Sequence, residues 1–453
     1  MCMPRRKKYQ GREGRILRLR EVLAREKDEG LGVFLSKMEP EDLAEILGEF
    51  SEEEKLRIFD LLDTDSAATV LDDTDPQTRL QILQRSDSRR LSQVLEEMPV
   101  DEAADIIEEA GKDQREDLLE LLEKEEAEEV EAILGYPEDS AGRVMNPNFV
   151  SVKQEDDIET AISRIRNMAL EEEFMYVYVV DNDMRLKGIV PLRKLLLSPR
   201  GTLISDIMEH EIHSVYVDTD QEQAAIVMRK YDLLSIPVMN RQQQLVGRIT
   251  VDDIIDVIDE EQAEDISKMT GTIEEERGTE TTVEAAKNRL PWLITCMLGS
   301  IVTGLVIQMY EVTLAEMIAL VSFIPVITAT GGNSGVQAST VVVRGLALGH
   351  LDITRLWEEV VRQLKIALSM GVICGVVLTV LANIWKKSSL VGVITGLSIF
   401  LVVVWSNFVG VFVPMFFKRV KIDPAIASGP LITTLNDVIG VFIYLTVATV
   451  FLS

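Results

Sequence analysis

The sharpest single residue in this sequence is Asp437. It lies well inside the last of five long apolar stretches, where a carboxylate costs roughly 2.5–3.5 kcal/mol on insertion scales. A charge kept at that depth marks an ion pathway, unless the group is simply held protonated. No lysine or arginine lies within the same stretch to pair with it. Thr433 sits one helical turn earlier on the same face, and Asn436 is adjacent. A second polar string interrupts an earlier apolar stretch: Pro325, then Thr328-Ala329-Thr330-Gly331-Gly332-Asn333-Ser334-Gly335-Val336-Gln337. Asn333 and Gln337 are four apart and share a helical face. A proline and paired glycines are expected to loosen the backbone ladder, and freed carbonyls persist in a membrane only when buried or lining a cavity. The alternative for Gly331 and Gly335 is close helix packing through small residues. Carboxylate, hydroxyl and amide oxygens are the donors that a hard divalent cation takes.

Two further strings carry chemistry. Asp423-Pro424 reads as a helix N-cap followed by proline in the first turn. Gly247-Arg248-Ile249-Thr250-Val251-Asp252-Asp253 places a hydroxyl and a carboxylate at a helix start, where Thr250 and Asp253 could hold a ribose near the helix N-terminus. The structural alternative is that Thr250 caps a helix beginning at Asp252.

These strings must be positioned by the elements around them. Residues 144–259 contain a duplication. The first copy runs through Val144-Met145, Val150-Ser151-Val152, a helix from Ile158 to Met168, a strand from Met175 to Val180, and Lys187-Gly188-Ile189-Val190. The second repeats the order with Ile207-Met208, Val215-Tyr216-Val217, a helix from Glu222 to Tyr231, Ser235–Met239 and Val246–Thr250. This order of elements, met twice, resembles a tandem pair of CBS domains. In such modules the Gly-x-x-Thr-x-x-Asp string implies an adenosine nucleotide; the first copy lacks it.

Ahead of the duplication, residues 30–135 read as short helices in series, with apolar residues at helical spacing such as Leu43, Ile46, Leu47 and Phe50. Ser51 followed by Glu54, and Asp101 followed by Ala104 and Asp105, read as helix starts. Met38, Ala44 and Ile46 recur as Met98, Ala104 and Ile106, sixty residues later. A small helical superhelix or an irregular helical domain both fit. After the duplication, residues 258–290 form a charged bridge containing Glu260, Glu261, Glu264 and Glu274-Glu275-Glu276, with Gly271 and Gly278 expected to break it.

Charge divides the chain sharply. Residues 291–453 hold seven acidic and nine basic side chains, so the chain's net −29 leaves −31 on residues 1–290. That acidity excludes nucleic acid as a partner, since phosphate binding needs a basic face. It suits cations. The basic stretch Met1–Lys8 is followed by no apolar run and does not read as a signal peptide. The acidic half is therefore expected in the cytosol. Cys2, Cys296 and Cys374 form neither a disulfide framework nor zinc spacing. Three histidines and no nucleophile or P-loop motif argue against an enzyme. Apolar stretches near 291–310, 315–343, 363–385, 390–417 and 425–452 each reach the roughly 20 residues that cross a bilayer. With the N-terminus inside, the cytosolic loops hold Arg344, Arg355, Arg362, Lys365, Lys418, Arg419 and Lys421, against Lys386 and Lys387 outside. That bias is positive-inside and puts the C-terminus outside the cell.

The string Pro325–Gln337 and the strings Asp423-Pro424 and Asp437-Val438-Ile439-Gly440, together with the order of parts, resemble the MgtE-type magnesium transporters over nearly the whole chain. The implied fold is multidomain: an all-α superhelical N-terminal domain, an α/β CBS pair and an α-helical membrane domain of five spans. The expected divisions are a basic segment 1–29, a helical domain 30–138, CBS copies 139–200 and 201–259, an acidic connecting segment 260–290 and a membrane domain 291–453. The resemblance implies a homodimer in the cell membrane that takes up Mg2+ through a route closed by cytosolic Mg2+. Asp437 would line that route, with Asn333, Thr433, Gly331 and Gly332 near it. Asp101 and Asp105 match an acidic pair facing the CBS domains. Asp252, Asp253, Asp256, Glu260, Glu261 and Glu264 fall among regulatory carboxylates, and Asp423 faces them from the membrane side. The rival reading is an ion-coupled secondary transporter of divalent cations (Mg2+ or Co2+) regulated by adenosine nucleotide, with ATP as the ligand of the CBS pair.

Overall fold

A computed structural model describes residues 11–25, 27–168, 174–272, 282–348, 351, 355–427 and 429–453. The basic stretch Met1–Lys8, the Glu274–Glu276 run and Gly278 lie outside the described residues. The chain forms two compact units, Met1–Ile258 and Asp259–Ser453.

The first unit opens with short helices set to a strict beat. Their N-cap positions are Lys27, Glu39, Ser51, Asp63, Asp75, Asp87, Pro99, Gly111 and Glu123, each twelve residues after the last. Ser51 and Glu54 close a full capping box. Asp63, Asp75 and Asp87 each accept a first-turn N–H, from Ser66, Thr78 and Arg89. Such a cap stabilises by about 1 kcal/mol. Seven residues past the cap an apolar pair recurs: Ile46-Leu47, Ile58-Phe59, Val70-Leu71, Ile82-Leu83, Val94-Leu95 and Ile106-Ile107, all buried. Each helix packs on the next but one: Pro40–Leu47 on Thr64–Asp73, then Ser88–Leu95, then Lys112–Leu121, with Asp28–Leu35, Glu52–Leu61 and Pro76–Arg85 in a second row. Short helices that cannot bury a face alone stack into a superhelix. The sixty-residue echo is five of these twelve-residue steps.

One expected start is corrected. Asp101 does not cap its helix. The helix Val100–Glu109 begins two residues earlier than an Asp101 cap would set it, with Pro99 at the N-cap, in step with the twelve-residue beat, and Asp101 is buried in its first turn.

The duplicated stretch forms two matching three-stranded sheets. Ser151–Lys153 pairs parallel with Tyr176–Val180, which pairs antiparallel with Leu186–Pro191. Val215–Tyr216, Ser235–Met239 and Leu245–Thr250 repeat that order and those directions. The copies also exchange contacts. Met145 sits 2.7 Å from where a Cβ on Gly247 would lie, and Met208 sits 2.8 Å from the same point on Gly188. Each glycine therefore makes room for the leading methionine of the other copy. The Tyr178 hydroxyl and Ser235 Oγ add a buried hydrogen bond between the copies at 3.0 Å.

A helix, Val251–Thr270, follows the last strand. It stops at Gly271, whose φ of +76° lets Thr272 N–H reach the Ser267 carbonyl at 2.9 Å.

The second unit holds five helices long and apolar enough to cross a membrane: Ala285–Met309, Ile318–Ala347, Trp357–Lys386, Ser389–Arg419 and Gly429–Leu452. The fourth packs against the second, third and fifth. The expectation of a loosened ladder around Pro325 and Gly331-Gly332 is corrected. Residues Ile324–Ala347 form one unbroken α-helix with Pro325 in its first turn, where a missing N–H costs no bond. The irregular backbone lies earlier, in the 3-10 segment Ile318–Phe323. The expected helix start at Asp423-Pro424 is also refined: Pro424–Ala427 is a 3-10 turn, and the fifth span begins at Gly429.

Candidate functional site

In the second unit the polar strings meet where the second, fourth and fifth spans pack. A Cβ on Gly331 would lie 2.6 Å from Val402 Cγ1, and one on Gly332 would lie 3.5 Å from Thr433 Cγ2. Gly335 faces the amide of Asn436 and the Ser406 carbonyl, and Gly410 presses on the carbonyl of Gly335. Close packing through small residues thus brings Gly332 and Thr433 together. Asn407 Nδ2 donates to Ser334 Oγ at 2.6 Å and to the Val403 carbonyl at 2.9 Å. Asn436 is fully buried, and neither atom of its amide has a hydrogen-bond partner. Asn333 and Gln337 point away from this packing, on the exposed face of the second span.

Asp437 is partly buried on the fifth span. It takes part in no hydrogen bond or ion pair among the described residues. Thr433 donates its hydroxyl hydrogen to the Gly429 and Pro430 carbonyls at 3.2 and 3.0 Å. Its oxygen keeps lone pairs free to accept from a bound water.

Within this unit the end of the Val251–Thr270 helix meets the start of the fifth span. Lys268 Nζ donates to Asp423 Oδ2 at 2.6 Å and also pairs with Glu264. Asp423 Oδ1 accepts the Ala425 N–H at 2.8 Å, which fixes the 3-10 turn. Burial works against the Lys268 charge, but its bonds to Asp423 and Glu264 outweigh that and hold its proton above the usual lysine range. Asp265, beside them, is pushed up to about 6 by burial and by the neighbouring Asp423. Gly271 lies 3.2 Å from Trp292 and 3.3 Å from Pro430, measured from a Cβ position. The helix end, the first span and the fifth span are therefore in contact within one unit.

The first unit carries its own carboxylate cluster, which involves Asp72, Asp101, Glu102, Asp253 and Asp256. Burial, with Asp72, Asp101 and Asp253 close by, pushes Glu102 up to about 9. Burial, with Asp73, Asp256 and Asp253 adding repulsion against the pull of Arg79, pushes Asp72 up to about 6. Burial raises Asp253 too, against two hydrogen bonds from Thr250: its N–H and its Oγ1 both reach Asp253 Oδ2 at 2.7 Å. Thr250 also bonds Asp252. The candidate nucleotide pair Thr250 and Asp253 thus serves the helix start, one residue ahead of the expected Asp252. Asp252, Asp256 and Glu260 are exposed, and Glu261 and Glu264 partly so. Asp105 pairs with Arg143. Among the described residues no three carboxylate, imidazole or thiol groups converge as a ready inner-sphere cage. Magnesium commonly keeps several waters and binds through one or two carboxylates, so a loose cluster suits it.

This cluster predicts a pH dependence. A carboxyl whose folded pKa is raised binds more protons folded than unfolded, so its contribution is full below the unfolded value and is lost as pH rises through the folded one. Without divalent ions, the melting temperature of the protein's cytosolic half should fall as pH climbs from about 4.5 through the Asp72 and Glu102 values near 6 and 9. Magnesium should flatten that slope. A melting temperature that rises over the same range in chelator would contradict the cluster.

Glu102, Asp72, Arg143 and Lys268 were not singled out by sequence reasoning. Lys268 had a signal, four residues after Glu264. Arg143 had none, because its partner Glu108 is 35 residues away.

Residues 324–447 match the MgtE divalent cation transporter family, residues 38–139 the MgtE intracellular N domain, and residues 141–200 and 204–260 the CBS domain. The chain is 36% identical over 324 residues to the magnesium transporter MgtE of Enterococcus faecalis, covering 71% of each chain. It is 37% identical over 331 residues to the magnesium transporter MgtE of Thermus thermophilus, covering 71% of this chain and 72% of that one. A crystal structure of the cytosolic domain of the Mg2+ channel MgtE in complex with ATP matches with 34% identity and a TM-score of 0.52, over 53% of this chain and 99% of that one.

Proposed function

This chain belongs to the MgtE family of magnesium transporters, and from that membership we propose a homodimeric Mg2+ uptake channel whose path passes Asp437 and which cytosolic Mg2+ closes. It is a multi-pass membrane protein with its N-terminal domains in the cytosol. The observation that carries the channel reading is Asp437: a carboxylate inside a span, unpaired among the described residues, one turn from a threonine oxygen with free lone pairs.

Magnesium dehydrates reluctantly and prefers octahedral oxygen. A site that keeps its water shell needs charge at a distance and acceptors for water hydrogens. Two Asp437 carboxylates across a dimer axis supply −2. Thr433 offers an acceptor, and Asn333, exposed on the second span, offers another in the same dimer path. Gly331 and Gly332 let the second span approach the fourth and fifth closely enough to hold that geometry.

Closure follows from the acidic half. Asp72, Glu102 and Asp253 crowd one another, and the exposed Asp252, Asp256 and Glu260 add to the field. With Asp101, Glu261 and Glu264 they form the regulatory set, and bound Mg2+ relieves their repulsion. The Val251–Thr270 helix carries the change, because its end is tied through Lys268 to Asp423, just ahead of the span that holds Asp437. Moving a gate from 1:99 to 99:1 takes about 5.5 kcal/mol of differential binding, hence several weak sites rather than one. The chain's likeness to a cytosolic domain crystallised with ATP extends the proposal to ATP as a ligand of the CBS pair. The positive-inside count supports a C-terminus outside the cell.

The test is uptake of Mg2+ into vesicles holding the purified protein, driven by membrane voltage alone. A channel fills them with no proton or sodium gradient. Uptake that requires either gradient makes the protein a coupled carrier instead.

A further inference from the structure

The crossing of the second, fourth and fifth spans buries polar atoms that the transport reading leaves unused. Asn436 is completely buried, and both its amide oxygen and its amide nitrogen lack a hydrogen-bond partner among the described residues. Ser406 on the fourth span is completely buried too, and its hydroxyl is unpaired. Threonines in the spans turn their hydroxyls back on the carbonyl four residues earlier, as Thr379 does to Gly375 at 2.7 Å and Thr395 to Val391 at 2.8 Å. Ser406 makes no such bond. Both residues face one strip of the second span. A Cβ on Gly331 would lie 3.3 Å from Ser406 Oγ, and one on Gly335 would press on the Asn436 amide with the Ser406 carbonyl at 3.2 Å. Because both positions are glycine, neither puts a side chain into the strip.

Buried polar groups without a protein partner are commonly met by ordered water. The balance of donors and acceptors selects the ligand here. A metal cation would satisfy Asn436 Oδ1 and Ser406 Oγ but repel the Nδ2 hydrogens, and an anion would do the reverse. Water accepts from Nδ2 and donates to an oxygen, so it meets both. We propose that Asn436 is a positioning residue: through a water shared with Ser406 it pins the rotation of the fifth span, and with it the aim of Asp437. The proposal rests on the reading in which Asp437 lines the Mg2+ path. Neighbouring residues on a helix point about 100° apart. With Asn436 held inside the bundle, Asp437 stays at its half-buried edge. A hydrated ion between two such carboxylates is sorted by their spacing, since Ca2+ is larger than Mg2+ and holds its water less tightly. An apolar side chain at position 436 keeps the Asp437 charge but frees the span to rock. Attraction for the ion then persists while discrimination falls.

Two measurements on the full-length protein in lipid, made on the wild type, Asn436→Leu and Ser406→Ala, test this. The first is X-ray hydroxyl-radical footprinting, in which a bound water generates the radical inside the bundle. Val402 Cγ1 and Ile432 Cγ2 lie 2.6 and 2.9 Å from the Cβ positions of Gly331 and Gly335, and both residues are completely buried. They should be oxidised in the wild type despite that burial, and at least about threefold less in each variant. The second is the ratio of voltage-driven Ca2+ to Mg2+ flux into vesicles. It should rise at least about fivefold in Asn436→Leu, while Mg2+ flux and melting temperature stay near the wild type, because an apolar group in place of a buried unpaired one is close to neutral for stability. The double variant should add little to either single one, since each breaks the same bridge. An amide with a structural role alone would shift the melting temperature and leave the flux ratio where it is. If Asn436→Leu does not fold, Ser406→Ala carries both measurements. The proposal is overturned if Val402 and Ile432 are unlabelled in the wild type or labelled alike in all three proteins. It is also overturned if the flux ratio is unchanged while Asp437→Asn has lost its flux. If Asp437→Asn conducts as well as the wild type, the path reading is what fails, and the labelling alone decides the water site.

Discussion

Asp437→Asn should abolish voltage-driven Mg2+ uptake, by at least about a hundredfold, while leaving the protein folded. A unit charge about 4 Å from another contributes roughly 4 kcal/mol at an effective dielectric of 20, and more against a divalent ion. The substitution removes that attraction from both subunits of the proposed dimer at once. It is nearly isosteric, and Asp437 has no hydrogen bond or ion pair among the described residues for it to break, so thermal stability in detergent should change little. Asp437→Glu keeps the charge and shifts it by one methylene, so it should retain part of the flux. Uptake by Asp437→Asn near the wild-type rate would remove this residue from the path.

Gly410→Ala should have the largest effect on stability. Its Cβ would fall on the Gly335 carbonyl, far inside van der Waals contact, with Ala338 Cβ at 3.0 Å on the same side. The obstruction is backbone on a neighbouring helix, which no rotamer change relieves. Overpacking of this kind costs about 1–3 kcal/mol and sometimes more. The second and fourth spans must separate, and Gly332 loses its seat against Thr433 on the fifth. Melting in detergent should drop by several degrees and uptake should fall with it. An unchanged melting temperature would mean the spans pack more loosely than described.

The parts that the sequence made legible are those written in local pattern. The five spans follow from long apolar runs, and the CBS copies from a repeated order of strand, helix and glycine turn. Ser51 and Glu54 announced their capping box. The superhelix was legible in principle, since Asp63, Asp75 and Asp87 stand twelve apart with an apolar pair in each interval. The echo of Met38, Ala44 and Ile46 in Met98, Ala104 and Ile106 is its fivefold multiple. Pro325 misled: a proline beside paired glycines reads as a break, yet its effect depends on whether it falls in a first turn, and helix boundaries are the weakest part of any sequence reading. Asp101 misled for the same reason by two residues. What could not be read is what depends on distant pairing. Nothing local to Arg143 points to Glu108, and nothing local to Glu102 reveals that Asp72 and Asp253 crowd it enough to raise its pKa to about 9.

The central claim is that cytosolic Mg2+ closes a path lined by Asp437, and a patch recording of the purified protein in lipid tests it most directly. The Mg2+ current is followed while Mg2+ on the cytosolic face is stepped from low to high. The account predicts a current that is present at low cytosolic Mg2+ and declines steeply as the ion rises. A current that holds steady or grows across the step would contradict it.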